Sequence, residues 1–175
     1  MRISFESVDQ QYTELIDPDE EDSDVEEDLI AAAHFNDLEL VRELLENGAD
    51  IEAKTETNET ALMEPAWPGN TEVVRLLLER GARVNAKDDD GDTSLMRAAY
   101  HGRLKIVRLL LEYGADINHR DDAGDTALIW AAWQNRPQVV HLLLEHGAEV
   151  SIKNAAGQTA LSITKSKKIK HIFEG

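Results

Sequence analysis

The side chains of this chain that could act on another molecule are mainly carboxylates and aromatic rings. There is no cysteine, and the six histidines are scattered without the spacing of metal ligands. No serine stands in a nucleophile elbow, and no glycine-rich phosphate loop occurs. The sequence therefore predicts a non-catalytic protein that needs neither a cofactor nor a metal.

The net charge of the chain indicates which kind of molecule it could bind. Acidic residues outnumber basic ones by 35 to 18, and residues 1–28 hold twelve of the acids with a single base, Arg2. A negative field repels phosphate backbones, so nucleic-acid binding is disfavoured. We expect a basic protein or peptide as the partner.

The composition also indicates where such a protein would work. No apolar run approaches the roughly eighteen residues of a membrane span, and the first ten residues carry charge where a secretory signal would be apolar. With hydrophobic residues at 42% and no cysteine, the pattern favours a folded cytoplasmic protein. We expect a monomer that does not bind membranes.

A period of 33 residues organises the elements that must position these side chains. Gly-Ala pairs and Thr-x-Leu triplets both recur at that interval. The pairs begin at Gly48, Gly81, Gly114 and Gly147, and the triplets begin at Thr60, Thr93, Thr126 and Thr159. A fixed period of this length predicts stacked units that build a long open surface.

Residues 88–120 show what one unit contains. Thr93 suits a helix N-cap, and the leucine and alanines after it give a short first helix a narrow apolar stripe. Gly102 allows the chain to reverse, and residues 106–111 supply the apolar face of a second helix that ends at Gly114. The polar residues beyond predict an extended finger that leads to the next unit.

The motif shared by the units is Gly-x-Thr-x-Leu, then an Ala-Ala pair, then Leu-Leu-x-x-Gly-Ala-x-x-Asn. In this motif the units resemble ankyrin repeats, although the family's usual Thr-Pro-Leu-His is replaced by Thr-Ser-Leu-Met at 93–96 and Thr-Ala-Leu-Ile at 126–129. The resemblance implies an all-α solenoid of stacked helix-turn-helix units with short β-hairpin fingers. It also implies a protein–protein interaction module.

The period divides the chain into two predicted parts. Residues 1–25 are an acidic leader, either partly disordered or containing one short helix that covers the first repeat or docks on a partner. Residues 26–175 are the ankyrin repeat domain, with four repeats, the first a cap, and a partial fifth. In that fifth unit, Ile172 aligns with Val139.

Two units depart from the pattern. In the second repeat Pro65 and Pro68 fall in the first helix, which we expect to be kinked or shortened because proline lacks the amide hydrogen. In the fourth repeat Asn135 replaces the turn glycine, and asparagine is the residue that best tolerates that geometry after glycine.

The resemblance implies where recognition takes place, namely on the finger tips and on the concave side of the first helices. One first-helix column then holds three aromatics a repeat apart, followed by Ser166 in the last unit. Trp130 and Arg97 share the neighbouring column. The predicted partner-binding residues are Trp67, Tyr100, Trp130, Trp133, Met96, Arg97, Glu56, Glu59, Asp89, Asp90, Asp92, Asp122 and Asp125.

Two functions fit these residues. In the first, the aromatics anchor a basic segment that the acidic fingers attract, with cation–π contacts of roughly 0.5–2 kcal/mol each. In the alternative, the acidic surface mimics nucleic acid and the protein inhibits or neutralises a basic partner. Simpler roles also exist for single residues, since the tryptophans could pack on neighbouring helices and the aspartates could only keep the rim soluble.

Overall fold

The computed structural model describes residues 25–64 and 69–174, with side chains from residue 29 onward. Residues 1–24 of the predicted leader lie outside these residues, as do Pro65, Trp67 and Pro68. The described residues form nine α-helices: α1 Val25–Phe35, α2 Leu38–Glu46, α3 Thr71–Glu79, α4 Ser94–His101, α5 Leu104–Glu112, α6 Ala127–Trp133, α7 Pro137–Glu145, α8 Ala160–Ile163 and α9 Lys167–Glu174. None of these helices is long and apolar enough to cross a membrane.

The helices stack in two layers, which confirms the predicted all-α solenoid. In the layer of first helices, α4 packs on α6 and α6 packs on α8. In the layer of second helices, α2, α3, α5, α7 and α9 pack in succession. The core lies between the layers, where the leucines of the Thr-x-Leu motif in repeats two to four are almost fully buried: Leu62, Leu95 and Leu128.

The repeated threonines cap the first helices as predicted, with one exception. The Oγ1 atom of Thr93 accepts a hydrogen bond from the amide of Met96, and that of Thr126 accepts one from Ile129. In the second repeat the buried Oγ1 of Thr60 has no partner among the described residues. There the chain forms consecutive turns over residues 61–63 and a short tight turn at Glu64, so the described part of this unit has no first α-helix.

Each finger is a tight turn closed by backbone and side-chain hydrogen bonds. In the third repeat the amide of Asp88 donates to the carbonyl of Asp92 at 3.1 Å, and the Asp88 carboxylate accepts from the amides of Asp90 and Asp92. The described residues contain no β-strand where the resemblance implied short β-hairpins, and an isolated antiparallel bridge joins Lys54 to Thr60. The fingers therefore hold their shape through turn chemistry.

Backbone hydrogen bonds join each finger to the next. The amide of Asp122 donates to the carbonyl of Asp90 at 3.0 Å, and equivalent bonds run from Asp89 to Thr57 and from Ala155 to Ala123. Gly91 has a φ of +80°, and a Cβ there would lie 3.2 Å from the Asp122 nitrogen. Only glycine combines this left-handed backbone with so close an approach of the neighbouring finger.

Side chains provide a second set of bonds between repeats. The carboxamide oxygen of Asn85 accepts from the amide of Asp116 at 2.8 Å, and that of Asn118 accepts from Glu149 at 2.9 Å. Arg136, the N-cap residue of α7, donates from Nε to the carbonyl of Tyr100 on α4 at 3.0 Å. Each of these bonds satisfies a backbone group of one repeat with a side chain of its neighbour.

The structure confirms one predicted departure from the repeat pattern and corrects the predicted alignment of the fifth repeat. Asn135 adopts a φ of 56°, as expected for a residue at the position of the turn glycine. The alignment of Ile172 with Val139 is wrong, because α8 ends at Ile163 and α9 begins three residues early. Ile169 is consequently the fully buried residue at the start of α9, and the Ser166 carbonyl accepts a hydrogen bond from the Lys170 amide in the first turn of that helix.

Matched substitutions at Thr126 and Thr60 test the helix caps, since each residue is 2% exposed. Thr126→Val removes a hydroxyl that caps α6 and should lower the free energy of unfolding by about 1 kcal/mol. Thr60→Val removes a hydroxyl without a partner and should leave stability unchanged or raise it. Urea denaturation followed by far-UV circular dichroism measures both, and equal losses in the two variants would contradict the assignment.

Candidate functional site

The structure gathers Tyr100, Trp130 and Trp133 into one aromatic cluster on the layer of first helices. The ring centroids of the two tryptophans lie 5.3 Å apart, and Tyr100 lies 5.4 Å from Trp130 and 6.1 Å from Trp133. Tyr100 and Trp130 meet edge to face, an arrangement that aromatic quadrupoles favour. Three predicted anchors from two successive first helices thus form a continuous surface.

Trp130 is the fixed member of the cluster. Its indole Nε1 donates to Oδ2 of Asp121 at 3.0 Å; Asp121 is buried and Trp130 is half-buried. Asp121 begins a finger, and its other oxygen accepts from the amide of Asp125. The finger and α6 therefore hold the Trp130 ring in one orientation.

Trp133 is the accessible member, with 52% of its surface exposed. It borders a cleft of about 770 Å³ between the fourth and fifth repeats, which is lined by Asp125, Ile129, Trp130, Ala132, Trp133, Asn135, Asn154, Gln158, Ile163, Thr164, Lys165 and Ser166. We call this space the aromatic cleft. It lies where α8, only four residues long, stops a turn short of the neighbouring α6. The shortened fifth repeat accordingly has no further helical turn to stack on Trp133.

Arg97 lies in an acidic cluster beside the aromatic residues. Its Nη2 donates to Asp88 Oδ2 at 2.8 Å and also to Glu59, while Nη1 lies 3.9 Å from Glu64. Burial alone would lower the pKa of Arg97, but the hydrogen bonds to Asp88 and Glu59 raise it overall. The predicted contact residues Arg97 and Glu59 thus bind each other, and they shape the surface as a charged pair.

The surroundings of Asp92 strongly shift the pKa of its carboxyl group. Its buried Oδ1 has no hydrogen-bond partner among the described residues. Burial, together with the negative charges of Asp88 and Asp121, raises its pKa to about 6, although Arg97 opposes the shift and Asp90 adds to it. Asp92 lines a smaller cleft of about 220 Å³ together with Met96, Arg97, Tyr100, His101 and Trp130.

The remaining predicted site residues fall into three groups. Asp89, Asp90 and Asp122 are exposed on successive finger tips, and so is Glu56. Asp125 is half-buried, accepts from Asn154 Nδ2 at 2.7 Å, and has a raised pKa because burial outweighs that bond. Met96 is only 2% exposed, so it forms the floor of the smaller cleft.

Sequence reasoning missed the side chains that hold the predicted ones in place. Asp88 and Asp121 both begin a finger, and each binds the first-helix residue nine positions later, Arg97 or Trp130. The 33-residue spacing of these two pairs was visible in the sequence. In the described residues, no three His, Asp or Glu side chains are placed to hold a metal ion.

Comparison with known proteins identifies the class. A family model described as ankyrin repeats in three copies matches residues 4–88, 29–121 and 86–154. The chain therefore belongs to the ankyrin repeat family, whose repeats generally serve as protein–protein interaction modules. A search of curated proteins gave no match to the chain.

Asp92 gives the fold a defined pH dependence. The folded state holds the Asp92 proton more tightly than the unfolded state does, so this stabilisation is complete below a pH of about 3.8 and is lost as the pH rises through about 6. Asp92→Asn removes the ionised form and should raise the free energy of unfolding at pH 7.5 by about 1 kcal/mol after solvent screening.

Urea denaturation at pH 7.5 and pH 4.5 measures this effect. The advantage of Asp92→Asn should shrink at the lower pH, because the wild-type carboxyl is then protonated. Glu112→Gln, an equal charge change on the exposed end of α5, should leave stability unchanged at both values. An Asp92→Asn variant that is less stable than wild type at pH 7.5 would contradict the assignment.

Proposed function

We propose that this ankyrin repeat protein is a non-catalytic binding module that holds a basic protein or peptide on its concave side. The observation that carries the proposal is the exposed ring of Trp133 at the edge of the aromatic cleft. Large aromatics in water-accessible clefts are frequent energetic centres of protein interfaces. The chain would act as a monomer in the cytoplasm.

The charges around the aromatic cluster support a basic partner. Asp125 lines the aromatic cleft, and Asp92 lines the smaller cleft on the other side of Trp130. The finger tips above them add Asp89, Asp90 and Asp122, all exposed. Such a surface attracts cations over distance and places them close to indole faces, where cation–π contact adds to the binding.

Rigidity supports the same proposal. The fingers are joined by backbone hydrogen bonds, and the Trp130 ring is held by Asp121 at 3.0 Å. A surface organised before the partner arrives loses little conformational entropy on binding. The concave side therefore has the properties of a preformed docking surface.

Fluorescence anisotropy with labelled peptides of twelve residues tests the proposal. Basic, neutral and acidic peptides of matched apolar content are titrated with the protein, and the basic set should bind most tightly. Trp133→Ala should weaken that binding tenfold or more, because it removes the accessible anchor. Equal affinity for basic and acidic peptides would contradict the proposal.

Tyr113→Ala is the matched control for this experiment. Tyr113 is 41% exposed at the end of α5, on the layer of second helices, and its loss should leave affinity unchanged. The alternative, mimicry of nucleic acid, predicts another pattern. Under mimicry, deletion of residues 1–24 would abolish binding of the basic peptides while Trp133→Ala retained it, and affinity would fall steeply with salt.

A further inference from the structure

We propose that the cleft bordered by Tyr100 and Trp130 receives one lysine side chain of the basic partner, with the Asp92 carboxylate as its counter-ion. We call this space the lysine slot; it is the cleft of about 220 Å³ that Asp92, Met96 and Trp130 line with their neighbours. The inference rests on the proposed function and specifies which residue of the partner the surface selects.

The apolar lining of the slot suits the aliphatic part of a lysine. Tyr100 and Trp130 touch edge to face, with centroids 5.4 Å apart, so they form one continuous aromatic wall, and the buried Met96 contributes an apolar floor. The bond from Trp130 to Asp121 keeps this wall in place. Lysine buries its methylene stem along apolar surfaces of this kind while its ammonium group seeks a polar partner.

Asp92 supplies the polar partner. Its Oδ1 is buried and accepts no hydrogen bond from the described residues, which leaves a charged acceptor without a donor. The carboxylates of Asp88 and Asp121 lie close enough to raise the pKa of Asp92 through their negative charge. A cation held at the accessible side of this carboxylate would relieve this repulsion.

The neighbouring basic groups do not take this role. Arg97 directs its guanidinium to Glu59 and Asp88, and both of its terminal nitrogens lie within 4 Å of carboxylates. The pKa of His101 is lowered by burial and by the nearby Arg103, Arg136 and Arg97, so its ring is mainly neutral at pH 7. The net charge at the slot consequently remains negative.

The burial of Oδ1 favours lysine over arginine, because it leaves at most one oxygen of the Asp92 carboxylate accessible to a cation. A guanidinium binds best when it donates two parallel hydrogen bonds to two acceptors in one plane. An ammonium group is a compact charge that one oxygen and an adjacent ring can hold. The slot offers one oxygen beside an aromatic ring, which suits an ammonium group.

Nuclear magnetic resonance of the tryptophan side chains tests the slot directly. The protein labelled with ¹⁵N is titrated with N-acetyl-lysine methylamide, and its indole signals are assigned with single Trp→Phe variants. The Trp130 signal should move in proportion to occupancy, and the arginine analogue should need at least a threefold higher concentration. The same compound acetylated on its side-chain nitrogen should have no effect, because it carries no charge.

Asp92→Asn and Glu112→Gln form the matched pair of variants. Both remove one negative charge, but Glu112 is exposed at the end of α5, outside the slot and the finger tips. Asp92→Asn should weaken the lysine response at least tenfold, and Glu112→Gln should change it by less than twofold. In the wild type the response should also fade as the pH is lowered through 6, and Asp92→Asn should lose this pH trend.

The outcomes separate this inference from the proposed function. An unmoved Trp130 signal, or an equal response in Asp92→Asn, would overturn the slot. A shift confined to Trp133 would overturn it too, while leaving the aromatic cleft as the site for basic segments. Failure of basic peptides to bind more tightly than acidic ones would instead overturn the proposed function.

Discussion

Hydrogen bonds between neighbouring repeats hold this protein together, and the rest of the structure depends on them. Backbone bonds join Asp122 to Asp90 across successive fingers, and the carboxamide oxygens of Asn85 and Asn118 accept from backbone amides of the repeats that follow. Similar contacts recur along the stack because the sequence repeats every 33 residues. Such a nearest-neighbour structure leaves the exposed side chains of the first helices free to vary without loss of the scaffold.

Departures from the repeat pattern determine the shape of the candidate binding surface. In the fifth repeat α8 is only four residues long, and this shortening leaves Trp133 at the edge of the aromatic cleft. In the second repeat the Thr60 hydroxyl has no partner among the described residues. Within the third and fourth repeats, one finger position is used twice: Asp88 binds Arg97 and Asp121 binds Trp130. One contact builds an acidic cluster and the other fixes an aromatic wall.

Features that depend on local chemistry could be predicted from the sequence. The Thr93 and Thr126 caps, the positive φ of Asn135 and the two helical layers follow from residue type and spacing. The proximity of Tyr100, Trp130 and Trp133 followed from the period together with the family resemblance.

Features that depend on contacts between residues far apart in the sequence could not be predicted. Arg97 reaches Glu59 across 38 residues, so no local pattern indicated that these predicted contacts neutralise each other. The three-residue shift of α9 leaves no motif in the sequence, and it is shown by the start of α9 at Lys167 and by the burial of Ile169.

The central claim is that the aromatic cluster on the first helices forms the docking surface. Hydroxyl-radical footprinting with a bound basic peptide tests it: Trp133 should be protected from oxidation while Tyr113 stays reactive. Protection of Tyr113 with Trp133 still fully reactive would contradict the account.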